Sequence, residues 1–278
     1  KWYKNHEDLL DEVDAVTVAV PTSKHLEVAT NVALSGVNML IEKPLAGNYA
    51  DAERIVELMS SSNLTLAVGH IERHNEVVKY SKNIIENGDW GNILGVTARR
   101  FSSFPDRIRD VGVLFDLTIH DVDVITYLVG QEVSNIFVMG GKALNENYED
   151  HVTLSMVFAN GTMGVCETNW LTPMKIRDIS IKTDKCYVDI NYINQEIMVR
   201  SSDYVKLDAT NLFESKMMIK EDKIALSKEE PLKNEIIDFL DSVQTKRNPL
   251  VTGKDGLMAI KIIEAGLESL LSKESINL

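Results

Sequence analysis

Three polar residues, Lys43, Asp116 and His120, occur where proton transfer and charge stabilisation are chemically reasonable. Lys43 sits in Glu42-Lys43-Pro44, directly after the apolar run Val37–Ile41. That run reads as a parallel strand, and open α/β sheets place ligands at the carboxyl ends of such strands. Pro44 biases Lys43 away from helical geometry and holds it extended. An ammonium fixed there would stabilise an alkoxide developing during hydride transfer, and would reach a ribose hydroxyl. A surface Glu–Lys pair closing a strand suits the same tripeptide. Asp116 and His120 are four apart in the run Gly112–His120, so a helix would project both from one face, about a turn apart. An imidazole beside a carboxylate is a common general-base arrangement, because histidine titrates near pH ~6.5. A solvated acidic helix with one partnered histidine fits as well. A metal set of Asp116, His120 and Asp121 lacks a second cluster at a convincing spacing.

Three weaker signals surround these. Pro21-Thr22-Ser23-Lys24-His25 follows the first readable strand and opens a helix, whose free N–H groups suit phosphate or ribose hydroxyls; an ordinary strand–helix turn reads the same. Arg99, Arg100, Arg107 and Arg109 cluster around Ser102-Ser103-Phe104-Pro105. They could grip a substrate anion bidentately, or pair on the surface with Asp106 and Asp110. Cys166 and Cys186 lie apart in strand-like segments and read as reduced buried thiols, with a disulfide or a metal pair as the alternatives.

The elements that must position these residues fall into two patterns. From Asp14 to Gly69, short apolar strands (Ala15–Val20, Val37–Ile41, Leu64–Gly69) alternate with helices (His25–Ser35, and Asn48 to about Ser61). Gly36 stands where a helix ends, and Asn48 with Asp51 suggests a capping box. Such alternation implies parallel strands with right-handed crossovers, half of a doubly wound fold. From Ile71 the pattern changes: a helix to Asn87, a strand at Ile93–Ser102, and a long helix from about Asp110 to Leu128 closed by Gly130. Hairpin signals then follow at Asn160–Gly161 and Asp184–Lys185, with Gln195–Arg200 extending the sheet. Two helices, about Leu232–Lys246 and Lys254–Ser272, close the chain. The fold class expected is α/β, a partial Rossmann (doubly wound parallel sheet) domain, then an α+β domain with a large open, mostly antiparallel sheet.

Composition excludes several function classes. With 278 residues, 44% of them hydrophobic and 26% charged, the chain has ordinary globular composition. A formal charge of −13 argues against nucleic acid, where phosphate contacts need clustered cations, and against an anionic membrane surface. Apolar runs fall far short of the ~20 residues that span a bilayer. No charged leader precedes an apolar segment, so a cytoplasmic protein is expected. No G-x-G-x-x-G occurs anywhere in the sequence, and Lys1 rather than Met begins it. A doubly wound nucleotide domain needs a first strand and phosphate-binding turn, roughly 50 residues with the second strand, so the expectation is that these are missing.

In this order the pieces resemble the Gfo/Idh/MocA family (glucose–fructose oxidoreductase, inositol dehydrogenase, rhizopine catabolism). The residues that carry the resemblance are Asp14-Ala15-Val16 through Pro21 with His25, Glu42-Lys43-Pro44, and Gly112, Asp116 and His120 with Asp123. Pro249-Leu250-Val251, leading into the last helix, adds the family's return onto the nucleotide domain. The stretches Val68–Arg73 and Phe104–Gly112 look most like the branch of UDP-N-acetylglucosamine 3-dehydrogenases and inositol 2-dehydrogenases.

The resemblance implies NAD or NADP as cofactor and oxidation of a secondary hydroxyl on a sugar, nucleotide-sugar or cyclic polyol. It implies Lys43, Asp116 and His120 as catalytic residues, and Pro21, Thr22, His25, Glu42, Lys43 and Pro44 on the cofactor side. Substrate binding would fall to Lys43, Asp116 and His120, with Arg107 and Arg109 as candidates for a diphosphate. In this reading His120 takes the hydroxyl proton, Lys43 stabilises the oxygen, and Asp116 orients His120 or a sugar hydroxyl. The implied layout is a Rossmann remainder over residues 1–71, a substrate-binding and oligomerisation domain over 72–252, and a helix packing back on the Rossmann part over 253–278. A homodimer or homotetramer would form through the open sheet. A non-catalytic nicotinamide sensor or assembly protein on the same fold is the competing reading, since fold does not fix function.

Overall fold

Alternating apolar strands and amphipathic helices in the first quarter of the chain build a three-stranded parallel sheet. A computed structural model describes residues 1–105, 111–206 and 216–278. After a short helix α1 (Glu7–Leu10), strands β1 (Ala15–Val18), β2 (Asn38–Glu42) and β3 (Leu66–Gly69) lie side by side in chain order. Helices α2 (His25–Leu34) and α3 (Tyr49–Ser61) make the crossovers. Met39, Ile41 and Val68 of this sheet are fully buried, as strands covered on both faces require. Gly36, at φ +73°, lets the chain leave α2 in the left-handed region. Asn48 caps α3 by accepting from the Asp51 N–H at 2.8 Å. The expected reciprocal bond is replaced, because Asp51 accepts from the Asn48 side-chain amide and not from its backbone. A full capping box occurs instead at Thr252 and Asp255.

The second sheet has nine strands in the order β11-β10-β9-β8-β4-β7-β6-β5-β12. These are β4 (Ile93–Ser103), β5 (Val133–Gly141), β6 (His151–Phe158), β7 (Met163–Asn169), β8 (Leu171–Thr183), β9 (Tyr187–Asn191), β10 (Glu196–Lys206), β11 (Lys216–Ala225) and β12 (Ile276–Asn277). Only β4 and β7 pair in parallel; every other neighbour is antiparallel. Both expected hairpins form, with Gly161 at φ +84° in the first. One face of the sheet is covered by helices α5 (Ile119–Val129) and α7 (Gly253–Ser272), with α4 (Glu76–Glu86) packed against α5, while α6 (Pro231–Thr245) lies against the three-stranded sheet.

Two helices differ from the sequence reading. The helix expected from Ile71 to Asn87 is broken: Ile71–His74 is a 3-10 turn, Asn75 is extended, and its side chain caps α4 at Val77. The helix expected from Asp110 begins among the described residues with a π turn, Leu114–Thr118, before α5. Gly130 closes α5 at φ +65°, as expected. The final helix serves both sheets. Gly256 packs against Val68 and Leu45 of the parallel half, whereas Gly266 packs against Leu154 and Val138 of the large sheet. Val68 N–H donates to the Val251 carbonyl at 3.2 Å, anchoring the entry to this helix at β3. No helix among the described residues is long and apolar enough to cross a membrane. Cys166 and Cys186 are free thiols.

Candidate active site

The carboxyl ends of β1, β2 and β3 supply one wall of a cleft, because parallel strands direct their following loops to the same edge. Lys43 extends from the end of β2, across a cis bond to the buried Pro44. His25, at the start of α2, bridges two loops: Nε2 lies 3.0 Å from the Val20 carbonyl and Nδ1 3.2 Å from that of Leu45. The ring thereby ties the ends of β1 and β2 together. Thr22 sits half-buried in the 3-10 turn Thr22–Lys24, and Pro21 is exposed. Glu42 accepts from the Lys43 N–H at 3.3 Å. A side chain at Gly69 would press on the Glu42 carboxylate at 3.0 Å, so glycine is what lets β2 and β3 close at this end.

The opposite wall is the π turn and α5. A π turn widens the helix by one residue, and such turns concentrate at functional sites. Here Leu114 N–H donates to Glu149 Oε1 at 3.1 Å, and Thr118 Oγ1 lies 2.6 Å from Thr168 Oγ1 on β7. A Cβ at Gly112 would overlap the Glu149 carboxylate and displace it. The anchored turn presents Asp116 to Lys43, whose Nζ donates to the Asp116 carbonyl at 2.7 Å and to Oδ1 at 3.2 Å. The two side chains are only 17% and 16% exposed, so this pair is largely desolvated. Burial lowers the Lys43 pKa from its ordinary value, opposed by the Asp116 charge.

His120 stands on the first turn of α5, and its buried Nδ1 has no hydrogen-bond partner. Burial, then the charges of Lys43, Arg100, His70 and Arg177, hold its pKa well below the ordinary histidine value. The imidazole is therefore neutral near pH 7. No hydrogen bond joins it to Asp116, whose carboxylate is turned to Lys43 instead. His70, immediately after β3, is fully buried with both ring nitrogens unpartnered, and burial lowers its pKa too.

Beneath the cleft lies a buried ionic lattice. Arg100 on β4 grips Asp121 with Nε and Nη2 at 2.9–3.1 Å and reaches Glu72 at 3.0 Å. Arg73 binds Asp123 at 2.7 and 2.9 Å and Asp255 at 3.0 Å. Residues 120, 121 and 123 thus leave α5 toward the cleft, the sheet and the 3-10 turn respectively. Asp121 and Asp123 are 1% exposed, which replaces the picture of a solvated acidic helix with a fully paired one. Arg100 is correspondingly no surface residue, and Arg99 alone of the described cluster pairs half-exposed, with Asp178 at 3.4 Å. Arg107 and Arg109 lie outside the described residues. Among the described residues no group of three or more His, Cys, Asp or Glu could hold a metal ion.

Residues 1–70 match the oxidoreductase family with an NAD-binding Rossmann fold, and residues 78–187 match the GFO/IDH/MocA C-terminal domain. The chain belongs to the GFO/IDH/MocA oxidoreductase family. It is 27% identical over 267 residues to UDP-N-acetylglucosamine 3-dehydrogenase of Acidithiobacillus ferrooxidans, covering 96% of this chain and 81% of that protein. A solved structure of that enzyme superposes with a TM-score of 0.86 at 25% identity, over 97% of this chain and 83% of that one. Myo-inositol 2-dehydrogenase of Thermotoga maritima is 27% identical over 290 residues, covering 100% of this chain and 84% of that protein. Levoglucosan dehydrogenase in complex with NADH shares the fold, with a TM-score of 0.84 at 20% identity over 99% of this chain and 82% of that one.

Within this GFO/IDH/MocA chain, Lys43 follows the end of β2 and His70, its ring nitrogens buried without partners, follows the end of β3. The sequence itself contributes no glycine-rich diphosphate turn. The sequence groups Lys43, Asp116 and His120 in one site and suggests that Asp116 orients His120 or a sugar hydroxyl, whereas Asp116 bonds Lys43; His70 and the Arg100 lattice were missed. The available signal for His70 was its position directly after a glycine that closes a parallel strand. Nothing in spacing pairs Arg100 with Asp121 or Glu72.

Proposed function

We propose that the chain is an NAD(P)-dependent dehydrogenase acting on a secondary hydroxyl of a sugar, nucleotide-sugar or cyclic polyol, with Lys43, Asp116 and His120 as its catalytic set. The observation that carries this reading is a desolvated ammonium, fixed by Asp116, acting on a neutral imidazole with an unbonded buried nitrogen. The dehydrogenases named above, matched along nearly the whole chain, support the substrate class.

NAD(P), when bound, exchanges a hydride with the carbon that bears the reacting hydroxyl. His120, neutral at physiological pH, accepts the hydroxyl proton, and in the reverse direction returns it. Lys43 stabilises the negative charge that grows on that oxygen, in a site where low polarity strengthens the interaction. Asp116 holds the ammonium in place and keeps it charged against the cost of burial. Glu42 and His25 fix the loop that carries Lys43, while Pro21, Thr22 and Pro44 shape the cofactor side. We assign cofactor binding to residues 1–71, substrate binding and assembly to 72–252, and the joining of both to 253–278. Met139, Val157 and Met163 line the solvent face of the large sheet and provide the apolar surface for a homodimer or homotetramer. A cytoplasmic setting completes the proposal.

The test is His120→Ala in the NAD(P)-loaded protein. Turnover should fall by roughly 10²–10⁴-fold with little change in KM. The acid limb of the wild-type kcat/KM profile should lie below pH ~6.5, since the imidazole is held neutral there. Near-normal turnover in the variant removes His120 as the base.

A further inference from the structure

We propose that Arg177 is an anion-recognition residue of this cleft, so that the preferred substrate carries a phosphate or carboxylate in addition to the reacting hydroxyl. The proposal takes the position of the reacting hydroxyl from the dehydrogenase reading above and adds a class of substrate to it. On β8, residues 177, 179 and 181 point to the helix-covered face of the sheet, where Ile179 and Ile181 are fully buried. The Arg177 side chain, by contrast, is 35% exposed.

Antiparallel register places Arg177 directly opposite Arg100. Two like charges at such a pair of positions repel. Arg100 takes the available carboxylates, gripping Asp121 and reaching Glu72 at 3.0 Å. Arg177 is left 3.8 Å from Glu72, too far for a hydrogen bond, and its guanidinium donates none among the described residues. The Arg177 fork thus pairs with Glu72 only at ion-pair distance and keeps its N–H donors for the paired oxygens of phosphate or carboxylate.

Two neighbours strengthen the assignment. A cavity of about 180 Å³ adjoins Arg177, lined also by Asn75, Tyr192 and Gln195, with Glu72 on its wall already engaged by Arg100. Tyr192, on the wall of this cavity, has its hydroxyl buried without a hydrogen-bond partner. Lys43, Arg100 and Arg177 all act on His120 as cations, while Glu72, Asp121 and Asp116 act on Arg177 as anions. Burial and the facing Arg100 also push the Arg177 pKa below its ordinary value, the direction an added anion would reverse.

The experiment is calorimetric titration of the wild-type protein and the variants Arg177→Gln and Arg177→Lys with UDP-N-acetylglucosamine, glucuronate and myo-inositol. Wild type should bind at least one of the two anionic ligands tenfold or more tightly than inositol. In Arg177→Gln that preference should shrink by roughly 10–100-fold, the value of a charge-assisted bidentate contact, with partial recovery in Arg177→Lys. A change confined to UDP-N-acetylglucosamine identifies phosphate as the anion, and one confined to glucuronate identifies carboxylate. An unaltered preference in Arg177→Gln, or a wild-type protein with no preference, overturns the proposal. NAD reduction measured with the same three compounds tests the dehydrogenase reading separately, because binding selectivity does not require turnover.

Discussion

Lys43 and Asp116 lie 73 positions apart, yet the ammonium of one donates to both the carbonyl and the carboxylate of the other, at 2.7 and 3.2 Å. The contact joins the end of a parallel strand to a π turn on the far side of the cleft. Asp116 is thereby committed to Lys43, and His120 keeps a buried Nδ1 without a partner.

Breaking this pair should slow chemistry more than it weakens binding. Lys43→Ala should lower kcat by about 10²–10³-fold, the usual cost of removing one donor from a developing oxyanion. Asp116→Asn keeps the backbone carbonyl and a side-chain oxygen as acceptors for Lys43 but loses the charge, so it should fall between wild type and Lys43→Ala. Lys43→Arg should not rescue, because a planar fork cannot reproduce a compact ammonium in a desolvated site. Steady-state kinetics of the three variants check the order. Equal kcat in Lys43→Ala and wild type would remove the lysine from the reaction.

The Arg100 lattice should govern stability. Arg100→Leu leaves Asp121 and Glu72 buried without their partner, and should cost about 3–5 kcal/mol in urea unfolding. Arg99→Leu removes only a half-exposed pair with Asp178 and should cost under ~1 kcal/mol. Similar losses in the two variants would contradict the buried pairing.

Glu235 should make stability decline as pH rises from ~4.5 to about 8. Its carboxyl, on α6, is 3% exposed with Oε1 unpartnered; burial, with Glu42 and Asp238 nearby, raises its pKa from 4.5 to about 8. Between those values the folded protein holds a proton that the unfolded chain has released. The stabilising contribution is therefore complete below pH ~4.5 and is lost as pH rises through about 8. Glu235→Gln should remove that decline, gaining on the order of 3 kcal/mol relative to wild type at pH ~8.5 and little at pH ~5. Parallel stability–pH curves for the two proteins would show that Glu235 titrates normally.

Much of the frame was legible beforehand for identifiable reasons. The parallel sheet follows from apolar runs such as Met39–Ile41, which have to be buried on both faces. Gly130 and Gly161 mark turns where the backbone φ is positive, so their neighbours could be placed almost to the residue. The break at Asn75 was not legible, because the amphipathic pattern runs through it and only the local cap interrupts the helix.

The sequence by itself determined the strand–helix order, the lysine at the end of β2, and the Asp116–His120 spacing, because these depend on periodicity and local backbone preference. Tertiary structure decided what those residues do for one another. Helical spacing suggested that Asp116 serves His120, but the π turn directs it to Lys43. It also decided that Asp121 and Asp123 are buried, since their compensating charges, Arg100 and Arg73, come from segments 21 and 50 positions away. Spacing along a chain cannot reveal which distant guanidinium will neutralise a carboxylate; only the packing of β4, α5 and the turn after β3 does.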